Sequence, residues 1–277
     1  MAHERYERTM KLNRVRFKRR TGVYPETFEA MRDVLDQREQ AKTKAGRPAA
    51  LTPDEQLLLT LEFWREYRTQ AHLGDDWGVH ETTVLRTVER VEAALLASGQ
   101  FSLPRRSALT TETVYSAVLV DVSEVPCERP KKQRTWYSGK KKRHTQKMQL
   151  MIEAVTGRIL CVGTGRGATH DLTLLRDSGV RVHQETALIT DAGYQGIAHD
   201  HTLSLTPHKA TARVPLSEEQ RHENRVLAHF RQRIEHVIRR LKIFRVLKET
   251  YRHRRRRFAL RLHLIAALVN LTLDVQS

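Results

Sequence analysis

Two aspartates interrupt apolar runs at places where a carboxylate could do chemistry. Asp191 ends the apolar start of LITDAGYQG (188–196), so a buried strand would deliver this carboxylate at its C-terminal end, with glycines giving room beside it. Asp121 stands inside SAVLVDVSEV (116–125), where a buried charge is costly without a cation or a hydrogen-bond partner. An aspartate at a strand end can also be a turn residue or a helix N-cap. Asp191 therefore indicates catalysis only if it has partners elsewhere in the chain.

A third acidic residue, Glu235, lies in a segment (217–244) whose apolar residues recur every three or four positions, which predicts one long helix. At about 100° per residue, Arg231, Glu235 and Lys242 fall within roughly 40° of one another, along one edge of the apolar stripe. Glu235 is therefore expected at the margin of the core. Its alternative role is an i,i+4 salt bridge with Arg231 or Arg239.

The surrounding segments predict a mixed sheet of the α/β class. SAVLVDVSEV, MQLMIEAV and RILCVGTG are expected to form an antiparallel meander, and TALITDAGY and LSLTPHK two further strands. A short helix, THDLTLLRDSG, would precede the fourth strand, with Thr169 or Asp171 as its cap. In a ribonuclease H-like arrangement the first and fourth strands are neighbours. Asp121 and Asp191 would then lie together, facing the helix that carries Glu235.

Three carboxylates brought together in this way would repel one another strongly without a counter-ion. Hard oxygen ligands suit Mg²⁺ or Mn²⁺. Two such ions about 4 Å apart can activate a nucleophile and stabilise the leaving oxygen of a phosphodiester. Arg231 and Lys242 would contact backbone phosphates beside this site.

Charge gives an independent indication of the partner. The net charge is +17 and the pI near 10.3, and a field of that sign attracts polyanions such as nucleic acid. The basic residues form three blocks, at 1–20, 125–147 and 221–257, which suggests several contact surfaces rather than one tail. The alternative is a basic but otherwise ordinary surface.

A helix-turn-helix is predicted near the N-terminus. Thr52, Pro53 and Glu55 form the start signal of a helix, and TQAHLGDDW, Gly78-Val79-His80 and ETTVLRTVERVEAALL follow as helix, turn and helix. A recognition helix meets base edges with its first residues. The DNA-contacting residues expected there are Thr82, Thr83 and Arg86, beside Glu81. The alternative is a plain three-helix packing unit.

Changes in composition along the chain indicate the domain boundaries. Residues 1–45 are expected to form a basic N-terminal arm, or a helix that orders on DNA, followed by a short helix. Residues 46–104 would form a small all-α helix-turn-helix domain and residues 110–277 the catalytic domain, closed by an apolar helix packed on the sheet. Gly46-Arg47-Pro48 is either a plain linker or a tripeptide that places Arg47 in a minor groove.

Cellular location also follows from composition. No apolar run approaches the roughly 20 residues needed to span a bilayer, and the N-terminus has no apolar signal region. Two cysteines without CxxC spacing argue against a disulfide framework or a zinc site. We expect the protein in the cytoplasm, on the nucleic acid there.

The chain resembles the DDE-type transposases of bacterial insertion sequences, and within them the group classified as family five. The resemblance covers about residues 20–270 and is carried by VLVDVSE, YSGKKKRHTQK, TDAGYQG and RIEHVIRRLK in that order, together with the N-terminal helix-turn-helix. The family signature Tyr-x2-Arg-x3-Glu-x6-Lys is matched by Arg231, Glu235 and Lys242, but its Tyr position is Ala228. His170-Asp171 matches a recurring family pair, in which we interpret Asp171 as a capping residue.

The resemblance implies a metal-dependent DNA transposase with Asp121, Asp191 and Glu235 as catalytic and metal-binding residues. Water would attack a phosphodiester at a transposon end, and the 3′-OH so formed would attack target DNA. The partners implied are double-stranded DNA, namely terminal inverted repeats and target, and a second copy of the chain in a homodimer on DNA. The basic loop would bind DNA near the cleaved phosphate through Lys140, Lys141, Lys142, Arg143, His144 and Lys147. The alternatives are a catalytically inactive, transposase-derived DNA-binding protein and a ribonuclease H-like nuclease.

Overall fold

The computed structural model of the chain describes residues 2–43, 49–211 and 214–274. They divide into two units. The helical unit comprises Met1–Ser102, Leu241–Glu249 and Arg256–Ser277, and the sheet unit comprises Leu103–Arg240 and Thr250–Arg255. This division differs from the boundaries expected from the sequence, because the N-terminal block and the closing segment both join the helix-turn-helix.

The helical unit begins with six helices. They are α1 (Ala2–Met10), α2 (Arg14–Thr21), α3 (Pro25–Gln40), α4 (Pro53–Glu66), α5 (Gln70–Trp77) and α6 (Glu81–Ala97). The predicted capping box is present, since Thr52 Oγ1 accepts the Glu55 N–H while the Glu55 side chain accepts the Thr52 N–H. Helix α4 is buried along almost its whole length and forms the centre of the unit.

The predicted helix-turn-helix is confirmed as α5, a turn at Gly78 and α6. Gly78 adopts a left-handed conformation (φ 66°), which favours glycine. A methyl group on Gly74 would lie 2.5 Å from the Val79 carbonyl oxygen, so only glycine lets α5 approach the turn this closely. The inward face of α6 is apolar and buried, and is formed by Val84, Val88, Val91 and Leu95.

The N-terminal block is folded, which corrects the expectation of a basic arm. Glu62 on α4 is fully buried and accepts hydrogen bonds from Arg5 Nε (3.0 Å), Arg20 Nη2 (2.5 Å) and Trp77 Nε1 (3.0 Å). Phe17 of α2 is buried as well. Part of the positive charge of this block therefore neutralises a buried carboxylate instead of facing a partner.

The sheet unit starts with α7 (Arg106–Thr111) and contains six strands. In chain order the elements are β1 (Ala117–Pro126), α8 (Gln133–Trp136), β2 (Tyr137–Ser138), β3 (Arg143–Glu153), β4 (Ile159–Arg166), α9 (Asp171–Ser178), β5 (Ala187–Ile189), β6 (Ser204–Leu205) and α10 (Glu218–Lys242). Ser217 and Gln220 form a reciprocal capping box at the start of α10. Short 3₁₀ turns, Ala192–Tyr194 and Ile197–His199, follow β5.

Strand order confirms the predicted mixed sheet. The order is β2-β3-β1-β5-β6, with β4 also paired to β3, so β1, β3 and β4 form the antiparallel meander. Strand β1 pairs with β5 in parallel, and β5 pairs with β6 in parallel. The neighbourhood of β1 and β5, on which the predicted acidic pair depends, is therefore present.

Each face of β1 serves a different purpose. Val118 and Val120 belong to a buried apolar cluster with Leu172 and Leu175 of α9. Side chains alternate along a strand, so Asp121 projects to the other face. There it meets α10.

The last helix, α11 (Arg256–Asp274), was expected to pack on the sheet and instead belongs to the helical unit. Its buried Arg261 donates from Nε to Glu92 Oε1 of α6 at 2.6 Å, and Trp64 Nε1 donates to the same oxygen at 3.1 Å. A buried carboxylate needs such hydrogen-bond donors. Sequence patterns do not predict this pairing, because Glu92 and Arg261 lie 169 positions apart. None of the helices in the described residues is long and apolar enough to cross a membrane.

Candidate active site

Asp121 and Asp191 lie side by side because β1 and β5 run parallel. Leu119 pairs with Ile189, and each aspartate stands two residues further along its own chain segment. Asp191 comes just after β5, where its Oδ1 accepts the Gly193 N–H at 2.8 Å and caps the 3₁₀ turn. The turn-forming role considered as an alternative for Asp191 is thus present together with the neighbouring carboxylate.

A third carboxylate, Asp171, reaches the same place. A methyl group built on Gly193 would lie 2.7 Å from Asp171 Oδ2 and 3.0 Å from Asp191 Oδ1, so both carboxylates pack against the glycine α-carbon. Asp171 is the first residue of α9 and makes no capping hydrogen bond, because the N-cap position is held by His170. The expectation that Thr169 or Asp171 caps this helix is therefore wrong.

Two cations compensate these carboxylates. Lys147 Nζ donates to Asp171 Oδ1 and to the Thr169 carbonyl oxygen, both at 2.6 Å, and its side chain is 9% exposed. On the α10 side, Arg231 Nη2 lies 3.6 Å from Asp121 Oδ2. Lys147 was predicted to bind DNA from a loop. The structure corrects this, because Lys147 lies within β3 and its ammonium group is used internally.

The electrostatics of Asp121 reflect this crowding. Burial raises the pKa of the Asp121 carboxyl to about 6, and the neighbouring charges of Asp191 and Asp171 push it in the same direction. Arg231 and the Val122 N–H, which donates to Asp121 Oδ1 at 2.7 Å, lower the pKa but do not outweigh burial. The cluster thus carries more negative charge than its cations neutralise.

Tyr194 follows Gly193 and is completely buried. Its hydroxyl has no hydrogen-bond partner among the described residues. Burial raises the pKa of this phenol, and so do the charges of Asp171, Asp121 and Asp191, which places the hydroxyl in the field of the cluster.

Glu235 is not brought to the aspartates. It lies on α10 one turn after Arg231, exposed, while Ile234 and Val237 of the same helix are buried. Within the described ranges, no group of three or more acidic, histidine or cysteine side chains has the arrangement of a metal site. Asp121 and Asp191 nevertheless fit a hard divalent cation, as oxygen donors on adjacent strands with uncompensated charge.

The predicted DNA-contacting residues occupy varied positions. Thr82 and Arg86 are exposed at the start of α6, Thr83 is half-buried, and Thr82 Oγ1 lies 3.0 Å from Nδ1 of the N-cap His80. Lys242 is half-buried at the end of α10 and belongs to the helical unit. Arg47 lies outside the described residues.

The basic loop is the most exposed of these surfaces. Lys140, Lys141 and Lys142 are exposed between β2 and β3, Arg143 is exposed at the start of β3, and Lys142 has φ 53°. His144 is half-buried with its ring packed edge-on against Tyr137, at 5.7 Å between centroids. These side chains remain available to a polyanion.

Comparison with known proteins agrees with this geometry. Residues 120–270 match the family described as DDE superfamily endonuclease, and residues 49–101 match the helix-turn-helix of DDE superfamily endonuclease. The chain therefore belongs to the DDE transposase family, with a ribonuclease H-like catalytic fold and an N-terminal helix-turn-helix.

Two relatives extend over most of the chain. The "Probable transposase for insertion sequence element IS702" of Microchaete diplosiphon is 44% identical over 273 residues, covering 98% of this chain and 99% of the relative. The "Putative transposase for insertion sequence element IS112" of Streptomyces albus G is 25% identical over 232 residues, covering 83% and 84%. No solved structure matches the chain significantly.

Proposed function

We propose that this transposase binds the terminal inverted repeats of its insertion sequence and cleaves and joins DNA with the help of Mg²⁺ or Mn²⁺. The observation that carries the proposal is the placement of Asp121 and Asp191 on adjacent parallel strands, with charge that Arg231 and Lys147 leave partly uncompensated. A DNA-binding protein without catalysis would have no need for such a costly arrangement. It would act in the cytoplasm, on DNA of the nucleoid.

Asp121 and Asp191 would hold the metal, and Glu235 is the proposed third ligand. Glu235 stands four residues after Arg231, so the two share one side of α10, and Arg231 is already 3.6 Å from Asp121. Helix α10 would have to move on binding DNA to bring Glu235 to Asp121 and Asp191. When bound, one or two divalent ions would lower the pKa of a water and stabilise the leaving oxygen.

The reaction requires two phosphoryl transfers. In the first, a water oxygen bonds to phosphorus, the P–O3′ bond at the transposon end breaks, and a 3′-OH leaves. In the second, that 3′-OH bonds to a target phosphorus and a target 3′-OH leaves. Arg231 lies where its guanidinium can face a phosphate beside Asp121. The exposed loop 140–143 supplies further positive charge for the DNA backbone.

Two DNA-binding regions would contribute to the complex. Residues 46–104, with Thr82, Thr83 and Arg86 at the start of α6, form the proposed end-recognition domain, to which Arg47 would add a minor-groove contact. Lys242 is the proposed phosphate contact at the end of α10. Since two transposon ends must be handled together, we also propose a homodimer on DNA, and light scattering that finds only monomer on paired ends would refute it.

The deciding experiment is a cleavage assay on DNA carrying the flanks of the gene, with Mg²⁺ or Mn²⁺. We expect metal-dependent nicks at defined ends, lost in Asp191→Asn and Glu235→Gln while end binding persists. Glu185→Gln, an exposed acidic residue just before β5, is the matched control and should cleave normally. Tight end binding without cleavage in the unmodified protein would establish a DNA-binding protein instead. Metal-dependent nicks without end preference would establish a nuclease.

A further inference from the structure

Asp171 and Asp191 each place a carboxylate oxygen beside Gly193. Both carboxylates crowd the α-carbon of Gly193, at 2.7 Å and 3.0 Å from the position of a β-carbon. Like charges beside one glycine repel each other unless a cation compensates them. The ammonium group of Lys147 supplies that counter-charge for Asp171.

Lys147 fixes the orientation of Asp171. Its ammonium group binds Oδ1 of Asp171 and the Thr169 carbonyl oxygen at 2.6 Å each, which leaves Oδ2 directed at Gly193 and Asp191. Lys147 is nearly buried, so the ion pair is little screened by solvent. One oxygen of Asp171 is therefore anchored to β3, and the other is presented to the active site.

An independent observation points to the same spot. The Tyr194 hydroxyl is fully buried, makes no hydrogen bond among the described residues, and lies in the field of Asp171, Asp121 and Asp191. A buried hydroxyl without a partner costs about 1–3 kcal/mol. The orphaned donor beside the carboxylates indicates that the pocket is completed by something other than the chain.

We propose that Asp171, anchored by Lys147, is a positioning residue of the active site. Its Oδ2 packs on Gly193, whose N–H donates to Asp191 Oδ1 at 2.8 Å, so Asp171 fixes the turn that presents the Asp191 carboxylate. Lys147 and Asp171 thereby support the site from the α9 side of the sheet, while Arg231 reaches it from the α10 side. The inference rests on the proposed metal-dependent function and assigns to that function two residues that lie outside the predicted triad.

The test compares full-length Asp171→Asn with Asp177→Asn, an exposed aspartate on the same helix. Asparagine retains an oxygen for Lys147, and the metal-free unfolding temperature of each variant measures what the change costs the fold. The readouts are Mn²⁺ affinity, from the Mn²⁺-dependent rise in unfolding temperature, and the Mn²⁺ concentration for half-maximal cleavage. We expect Asp171→Asn to weaken Mn²⁺ binding by about 10- to 100-fold, as is typical when a partner of a metal ligand is removed. Asp177→Asn should match the unmodified protein.

A second variant distinguishes a loss of Mn²⁺ binding from misfolding. Gly193→Ala changes no charge but places a methyl group 2.7 Å from Asp171 Oδ2 and 3.0 Å from Asp191 Oδ1, which displaces both carboxylates, and it should also weaken Mn²⁺ binding. Gly139→Ala, where a methyl group meets nothing within 4 Å, is its control. Unchanged Mn²⁺ affinity in Asp171→Asn, with only a lower metal-free unfolding temperature, would overturn this inference and leave the proposed function standing. Failure of the unmodified protein to bind Mn²⁺ would overturn both.

Discussion

Arg231 Nη2 on α10 lies 3.6 Å from Asp121 Oδ2 on β1, which makes this guanidinium the nearest counter-charge of the most buried acidic residue of the site. A divalent cation bound to Asp121 would compete with Arg231 for the same carboxylate. A DNA phosphate entering the site would in turn attract the released guanidinium. The Arg231–Asp121 contact would therefore be present in the metal-free site and broken when metal and DNA are bound.

Arg231→Gln is expected to have opposite effects on the two ligands. Mn²⁺ should bind several-fold more tightly, because a competing cation is removed, while cleavage should slow by about 10-fold or more for loss of the phosphate contact. Metal titration and single-turnover cleavage measure the two effects. Arg233→Gln, an exposed arginine on the same helix, is the control and should change neither. Weaker Mn²⁺ binding in Arg231→Gln would show that Arg231 supports the metal site instead of competing with it.

Asp121→Asn is expected to stabilise the metal-free protein in a pH-dependent way. The folded-state pKa of Asp121 is about 6, above the ordinary aspartate value of 3.8, so the folded form binds this proton more tightly than the unfolded form. The corresponding stability is present below about pH 4 and is lost as the pH rises through about 6, a difference of about 3 kcal/mol for roughly two pKa units. Asparagine does not titrate and avoids that loss.

Thermal unfolding in EDTA would check this expectation. Asp121→Asn should unfold at a higher temperature than the unmodified protein at pH 8, and the gap should close toward pH 4. The same variant should have no cleavage activity. An equal difference at both pH values would mean that the ionised carboxylate carries no net cost in the fold.

The acidic pair was predictable because its determinants are local. Continuous apolar runs indicated β1 and β5, and an aspartate ends or interrupts each run in the sequence. The structure adds the register that aligns the two aspartates. The roles of Lys147 and Asp171 were not predictable in this way. Lys147 adjoins an exposed basic loop, and its partner lies 24 residues away on another element. Sequence shows that a residue is charged, but only the packing shows whether it faces solvent or a buried partner.

Arg86 is expected to contribute to recognition of transposon ends. It is exposed near the start of α6, in the position from which a recognition helix reaches base edges. Arg86→Ala should lower affinity for the end sequence by about 1–3 kcal/mol and leave affinity for unrelated DNA less changed. Arg90→Ala, one turn later, should not alter the ratio of the two affinities. An equal loss on both DNAs in Arg86→Ala would make Arg86 a phosphate contact.

Glu62 is expected to determine the stability of the helical unit. Its buried carboxylate accepts from Arg5, Arg20 and Trp77. Glu62→Gln leaves Arg20 without its counter-charge and Arg5 with Asp76 alone, and breaking a buried ion pair typically costs about 3–5 kcal/mol. Denaturant unfolding of the full chain measures the loss. Glu66→Gln, half-buried on the same helix, should cost less than 1 kcal/mol. An unchanged unfolding midpoint in Glu62→Gln would show that the N-terminal helices add no stability through this network.

The loop between β2 and β3 is expected to set the salt dependence of DNA binding. Lys140, Lys141 and Lys142 are exposed, whereas Lys147, a few residues later, is buried and paired with Asp171. Each phosphate contact contributes about 0.9 to the slope of log affinity against log salt concentration. Replacing the three exposed lysines with glutamine should reduce the slope by up to about 3, because up to three counterions fewer are released.

Lys147→Gln should leave the slope unchanged. Fluorescence anisotropy with labelled end DNA over a series of salt concentrations measures both variants. A smaller slope in Lys147→Gln would mean that the ammonium group leaves Asp171 for the DNA, and that the buried pair opens when DNA binds.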